Sequence, residues 1–172
     1  MLTAALEAGG MRVHRSAKRE LCNVVPGEHS YIPNRGGLFE PSKKEMQEPG
    51  WPRQHDGCAL KVVTPFLAKL GVHDYRVVFM RRDSEEIRQS YRAAFGVPLT
   101  RERIEADCDE AILGLRNRRD VRDVQLLDYA DVVKCPEDAI ASLGWPVEPA
   151  SAALVVDISQ YRFRRERLVV GL

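Results

Sequence analysis

Strands alternating with helical patterns predict an α/β fold, a parallel sheet in three layers with helices on both faces. Three observations carry that expectation. Tyr75 to Met80 (YRVVFM) is β-branched and aromatic with a continuous apolar centre of Val77, Val78 and Phe79, the pattern of a strand covered on both sides. A helix with both ends marked follows it at once: Asp83 is the cap, Glu86 stands three residues on as in a capping box, and Gly96 is a left-handed stop. Two more strand-like runs, Ala59 to Val63 and Val121 to Tyr129, are separated from it and from each other by helical stretches.

Taken in order, Leu2 to Ala8 is a helix ended by Gly9-Gly10, with Leu2, Ala5 and Leu6 on one face. Nothing resembling a cap, turn or strand precedes it, so the chain is expected to begin inside an element. Met11 to His14 is a short strand or an extended exit. Residues 15–57 are rich in Pro, Gly and charge, with at most a helical turn near Ser42 to Gln47; Tyr31, Phe39 and Trp51 predict a packed lid. The strand Ala59 to Val63 leads through Thr64-Pro65 into a short helix that Gly71 stops. In the helix Ser84 to Phe95, Ile87, Tyr91 and Ala94 are expected on the sheet, with Glu85, Arg88 and Arg92 outward. Thr100 caps a helix running to about Asn117 whose stripe is Ile104, Cys108, Ala111, Ile112 and Leu115; its other faces alternate Arg with Asp and Glu, as a solvated, ion-paired surface does. Val124, Leu126 and Leu127 are the centre of the next strand. Pro136 then opens a helix to Leu143 that Gly144 closes.

The 172 residues suit a single domain. With 26 Lys+Arg against 25 Asp+Glu the formal charge is +1, so no global field recruits nucleic acid or an anionic membrane, and any anion site must be local. No window approaches the ~18 apolar residues of a membrane span, and the first helix carries Glu7 without a basic flank, unlike a signal peptide. A cytoplasmic protein is expected. Cys22, Cys58, Cys108 and Cys135 show no C-x-x-C spacing, and His14, His29, His55 and His73 no H-x-x-x-H spacing, so neither a metal site nor a disulfide framework is predicted. Cys108 and Cys135 are expected to be small buried hydrophobes.

The chemistry concentrates where Arg81 and Arg82 leave their strand. The carboxyl end of parallel strands is where open α/β sheets bind ligands. A guanidinium there, with a hydroxyl such as Ser90 on the next helix and that helix's amino end, can hold an anion. The alternative is a surface arginine and a serine bonded to its own helix backbone. Arg82 followed eight residues later by Ser90, in RDSEEIRQS, resembles the 3′-phosphate-binding segment of the sulfotransferases that use PAPS (3′-phosphoadenosine 5′-phosphosulfate). Three further stretches resemble small bacterial-type members of that family, in family order. PNRGGLFE is similar to the segment that lines the acceptor pocket. LKVVTPFLAKL is similar to the segment carrying the catalytic-site lysine, which falls on Lys61, while Val63 stands where the family has its catalytic histidine. VVDISQYRFRR is similar to the close of the chain, with Arg162, Arg164, Arg165 and Arg167 within reach of a nucleotide. The opening MLTAALEAGGM resembles the helix after the phosphosulfate loop, with first strand and loop missing.

The resemblance implies a P-loop NTPase-like sheet and transfer of a sulfuryl group from PAPS to a hydroxyl or amine of a small-molecule or glycan acceptor, without a metal. Lys61 would steady the transferred group, Arg82 and Ser90 the 3′-phosphate, Arg162 and Arg164 the nucleotide. Glu40, His14 and His55 are the candidate bases. Lys61 also fits a strand lysine that reaches outward to solvent, and the arginine tail a solvated basic surface. With no G-x-x-x-x-G-K-[ST] sequence, a non-catalytic PAP-binding relic is the first alternative and another P-loop-class transferase, such as a small kinase, the second.

Overall fold

The computed structural model describes residues 1–15, 41 and 43–156, and over these the chain is a mixed α/β protein. Among the described residues four strands form two parallel pairs: β1 (Arg12–Val13) with β2 (Cys58–Ala59), and β3 (Tyr75–Arg81) with β4 (Val121–Asp128). The helices are α1 (Leu2–Ala8), α2 (Lys43–Met46), α3 (Trp51–Gln54), α4 (Ser84–Phe95), α5 (Arg101–Arg116), α6 (Tyr129–Lys134), α7 (Pro136–Ala141) and α8 (Pro149–Ala153), with a 3₁₀ helix over Thr64–Lys69.

β3 and β4 pair over seven positions, Val77 opposite Val124 and Arg81 opposite Asp128, after an irregularity between Tyr75 and Arg76. Side chains alternate across a strand, so Val78, Met80 and Leu127 share one face. They join the main core there, which contains Leu6 of α1, Ala59 of β2, Val132 of α6, Ala139 of α7 and Leu143, with Val13 of β1 packed against it. Both strand pairs thus bury residues in one apolar cluster. By the same alternation Phe79 is buried on the opposite face.

α1 is fixed by close approach at its carboxyl end. A Cβ on Gly9 would stand 2.2 Å from Val147 and 2.9 Å from the Glu148 carbonyl oxygen. Only glycine fits there, and its carbonyl accepts from the Glu148 amide at 2.9 Å. Glu148 in turn caps α8 through the amides of Ala150 and Ser151. Ala5, wholly inaccessible, packs with Ile140 and Ala152. Leu6 has its partners in the main core, so the apolar face of α1 is covered by α6, α7 and α8.

Several expectations change in detail. The strand expected over Ala59 to Val63 forms a ladder only at Cys58–Ala59, and it pairs with β1, not with β3. α6 begins directly after β4, at Tyr129, where only a strand end was read. The short helix α3 stands within the segment expected to be irregular, and α8 where no element was expected, each with proline in its first turn. Cys135 is exposed and Cys108 half-buried, with burial pushing the Cys108 thiol upward. On α5, Ile104 and Leu115 are the buried positions, and Arg101–Glu105 and Arg103–Asp107 are i,i+4 ion pairs of its outer surface. Among the described residues no helix is long and apolar enough to cross a membrane.

Candidate functional site

The carboxyl ends of β3 and β4 converge on a cluster of charge and one aromatic ring. Arg81 faces Asp128 across the ladder and grips it in a fork, Nε to Oδ1 at 3.1 Å and Nη2 to Oδ2 at 2.8 Å. That pair is exposed and contributes little to stability. Arg82 is different. Its Nε donates to Glu86 Oε2 at 2.9 Å, and its guanidinium carbon lies 4.9 Å from the ring centroid of Tyr129, the first residue of α6.

α4 starts here because Asp83 accepts from the amides of Glu85 (2.9 Å) and Glu86 (3.2 Å), and it ends at Gly96, whose φ of 68° is left-handed. Its amino end, with the positive end of the helix dipole, therefore points out of the same edge as Arg82. The helix presents a face other than the expected one to the interior. Tyr91 is 36% exposed and Ile87 half-buried, whereas Glu86 is 2% exposed; the side chain of Ala94 lies outside the described residues. Ser90 is half-buried one turn beyond Glu86 on α4, while Arg82 lies before the cap Asp83, outside the helix, and meets Glu86 through its side chain.

Lys61 lies two residues past the end of β2, half-buried. The Met1 amino group has its pKa lowered from 8.0, by burial first and by the charge of Lys61 second. The amino end of α1 is therefore close to Lys61. Lys61 and Arg82 thus leave the carboxyl ends of strands in different pairs. Val63 is 37% exposed, in extended backbone just before the 3₁₀ helix.

Of the candidate bases, His14 and His55 come together with Trp51. The His14 ring centroid is 4.5 Å from that of His55 and 5.6 Å from Trp51. His14 Nε2 is buried without a hydrogen-bond partner among the described residues. Burial, then the neighbouring His55, hold its pKa below 6.5, with Glu45 acting in the opposite sense. Glu40, Arg162 and Arg164, with Arg165, Arg167 and the segment 34–38, lie outside the described residues.

Sequence reasoning missed Tyr129 and misassigned Glu86. The available signal was the i,i+4 spacing of Arg82 and Glu86; Glu86 is expected above only as the partner of Asp83 in a capping box. A shallow groove of about 620 Å³ between residues 46–53 and 69–72 includes none of the predicted site residues. Among the described residues no group of three or more His, Cys, Asp or Glu is placed to hold a metal ion. No family model, curated protein or solved structure matches this chain.

Proposed function

We propose that the chain is a sulfotransferase-like domain that binds the 3′-phosphoadenosine part of PAPS through Arg82 and Ser90. One observation carries the reading: Arg82 stands between the carboxyl end of a parallel strand and the capped amino end of α4, with its guanidinium held by a buried glutamate, and Ser90 follows on that helix. A guanidinium already oriented at a strand tip beside a helix amino end suits a phosphate, which guanidinium groups match in a bidentate manner. The two parallel pairs are then parts of one three-layer sheet of P-loop type. A shared core on one face and Phe79 buried on the other support this.

In the reaction, an acceptor oxygen or nitrogen forms a bond to sulfur while the bond from sulfur to the 5′-phosphate oxygen breaks, PAP leaves, and the acceptor's proton passes to a base. The demand on the protein is positioning and charge stabilisation, as in phosphoryl transfer. Lys61, beside the amino end of α1, is the cation for the transferred and leaving oxygens. Arg82 and Ser90 hold the remote phosphate, and binding energy gained there fixes the donor. Arg162 and Arg164 add nucleotide contacts, and Glu40, His14 and His55 are the candidate proton acceptors.

A second reading, a PAP-binding module without turnover, is favoured by Val63 at the place of the family's histidine. Calorimetry with PAP and with 5′-AMP tests what both readings share: PAP should bind more tightly, and equal affinities would defeat both. PAPS turnover with a panel of hydroxyl and amine acceptors separates them.

A further inference from the structure

We propose that Glu86 and Tyr129 are positioning residues for Arg82, fixing its guanidinium so that it receives a phosphate in one orientation. The inference rests on the reading of Arg82 as the anion anchor. Among the described residues Glu86 is the one charged side chain in the core, 2% exposed. A carboxylate is not buried there without a paired cation, because desolvating an unpaired charge is too costly. Arg82 supplies that cation through Nε at 2.9 Å, and its own side chain is 23% exposed, open enough to meet a ligand. Tyr129 lies against the guanidinium at 4.9 Å from its ring centroid, within cation–π range.

An arginine has many rotamers, and a ligand that must freeze them binds more weakly for it. Here the Nε edge is set by a core carboxylate and one face by an aromatic ring that opens α6. The plane of the fork is therefore fixed by two elements, α4 and α6, before any anion arrives. Glu86 also repels an anion. The loss expected on Glu86→Gln is therefore the orientation lost, less the repulsion relieved.

The test is calorimetry of PAP and 5′-AMP against wild type, Arg82→Ala, Glu86→Gln, Glu86→Asp, Tyr129→Leu and the double variant Arg82→Ala/Glu86→Gln, with melting temperatures taken alongside. Glu86→Gln should weaken PAP about tenfold and Tyr129→Leu about threefold, with 5′-AMP affinity unchanged. In the Arg82→Ala background Glu86→Gln should have no further effect on PAP. A merely structural role for Glu86 would lower affinity for both nucleotides, or lower only the melting temperature. If Glu86→Gln does not fold, Glu86→Asp, which keeps the charge but withdraws it by one methylene, and Tyr129→Leu decide in its place, each with a loss confined to PAP. Unchanged or tighter PAP binding in these variants, with Arg82→Ala still impaired, overturns the inference and leaves the anchor reading intact. Undiminished PAP binding by Arg82→Ala removes the anchor itself.

Discussion

The two strand pairs of this protein contrast in how they are made. β3 and β4 have seven and eight residues and lead into α4 and α6 at their carboxyl ends, whereas β1 and β2 have two residues each and are separated by the stretch from 14 to 57. The long pair forms from signals local to it: β-branched runs, an aspartate cap and a glycine stop. The short pair depends on tertiary contacts, chiefly Val13 and Ala59 against the common core. Arg82 stands on the long pair and Lys61 on the short one. The scaffold of the proposed phosphate anchor is therefore the stiffer of the two.

That contrast predicts unequal sensitivity. Phe79→Ala, at the centre of β3, should lower unfolding free energy by about 3–5 kcal/mol in urea titrations, against about 1 kcal/mol for the half-buried Val13→Ala on β1. Similar losses at both sites would erase the distinction. Next in size is Arg118, which ties the 3₁₀ helix to the start of β4. It donates to the carbonyls of Leu70 (3.2 Å) and Gly71 (3.0 Å) and to Asp120 (2.6 Å), with Tyr75 beneath it at 5.6 Å. Arg118→Met should cost about 2–3 kcal/mol, because those acceptors lose their donor. This bond, with one from the His73 amide, holds the Asp120 carboxyl at about 2, down from 3.8. Its contribution is present above pH 3.8 and is lost as pH falls toward 2, so acid unfolding should begin earlier in Arg118→Met.

How much of this was legible in the sequence follows the same division. α1, β3, α4, α5 and β4 could be read closely, since periodicity and caps are written within each element. β2 was read too long because Leu60, Val62 and Val63 continue the apolar pattern but meet no ladder partner among the described residues. α6 was missed because it begins at the residue where β4 stops, without a side-chain cap bond. Glu86 was legible as a cap and not as a core residue. What allows a glutamate to be buried is a cation brought to it, and a count of apolar positions does not register that. At the proposed site, Arg82 and Ser90 are named from their spacing alone, whereas Tyr129 arrives from 47 residues away through the β3–β4 register.

The short pair should also be the pH-sensitive one. Below pH 6.5 the unfolded chain takes up a proton at His14 while the folded chain, with His14 between Trp51 and His55 and near Glu45, resists it. Stability should fall as pH drops through that window, and His14→Phe should flatten the slope. An unchanged slope would remove His14 as its cause. The smallest effect is expected at the exposed fork: Arg81→Ala should cost less than about 1 kcal/mol. A larger loss would make Arg81, not Arg82, the structurally committed arginine.

The most direct measurement is a PAP titration of the wild-type chain and of Arg82→Ala by calorimetry. The account predicts binding to the wild type and a loss of at least about tenfold in the variant, since a charge-assisted contact contributes about 1.5–3 kcal/mol. Equal affinity in the two proteins, or no binding of PAP to the wild type, would contradict it.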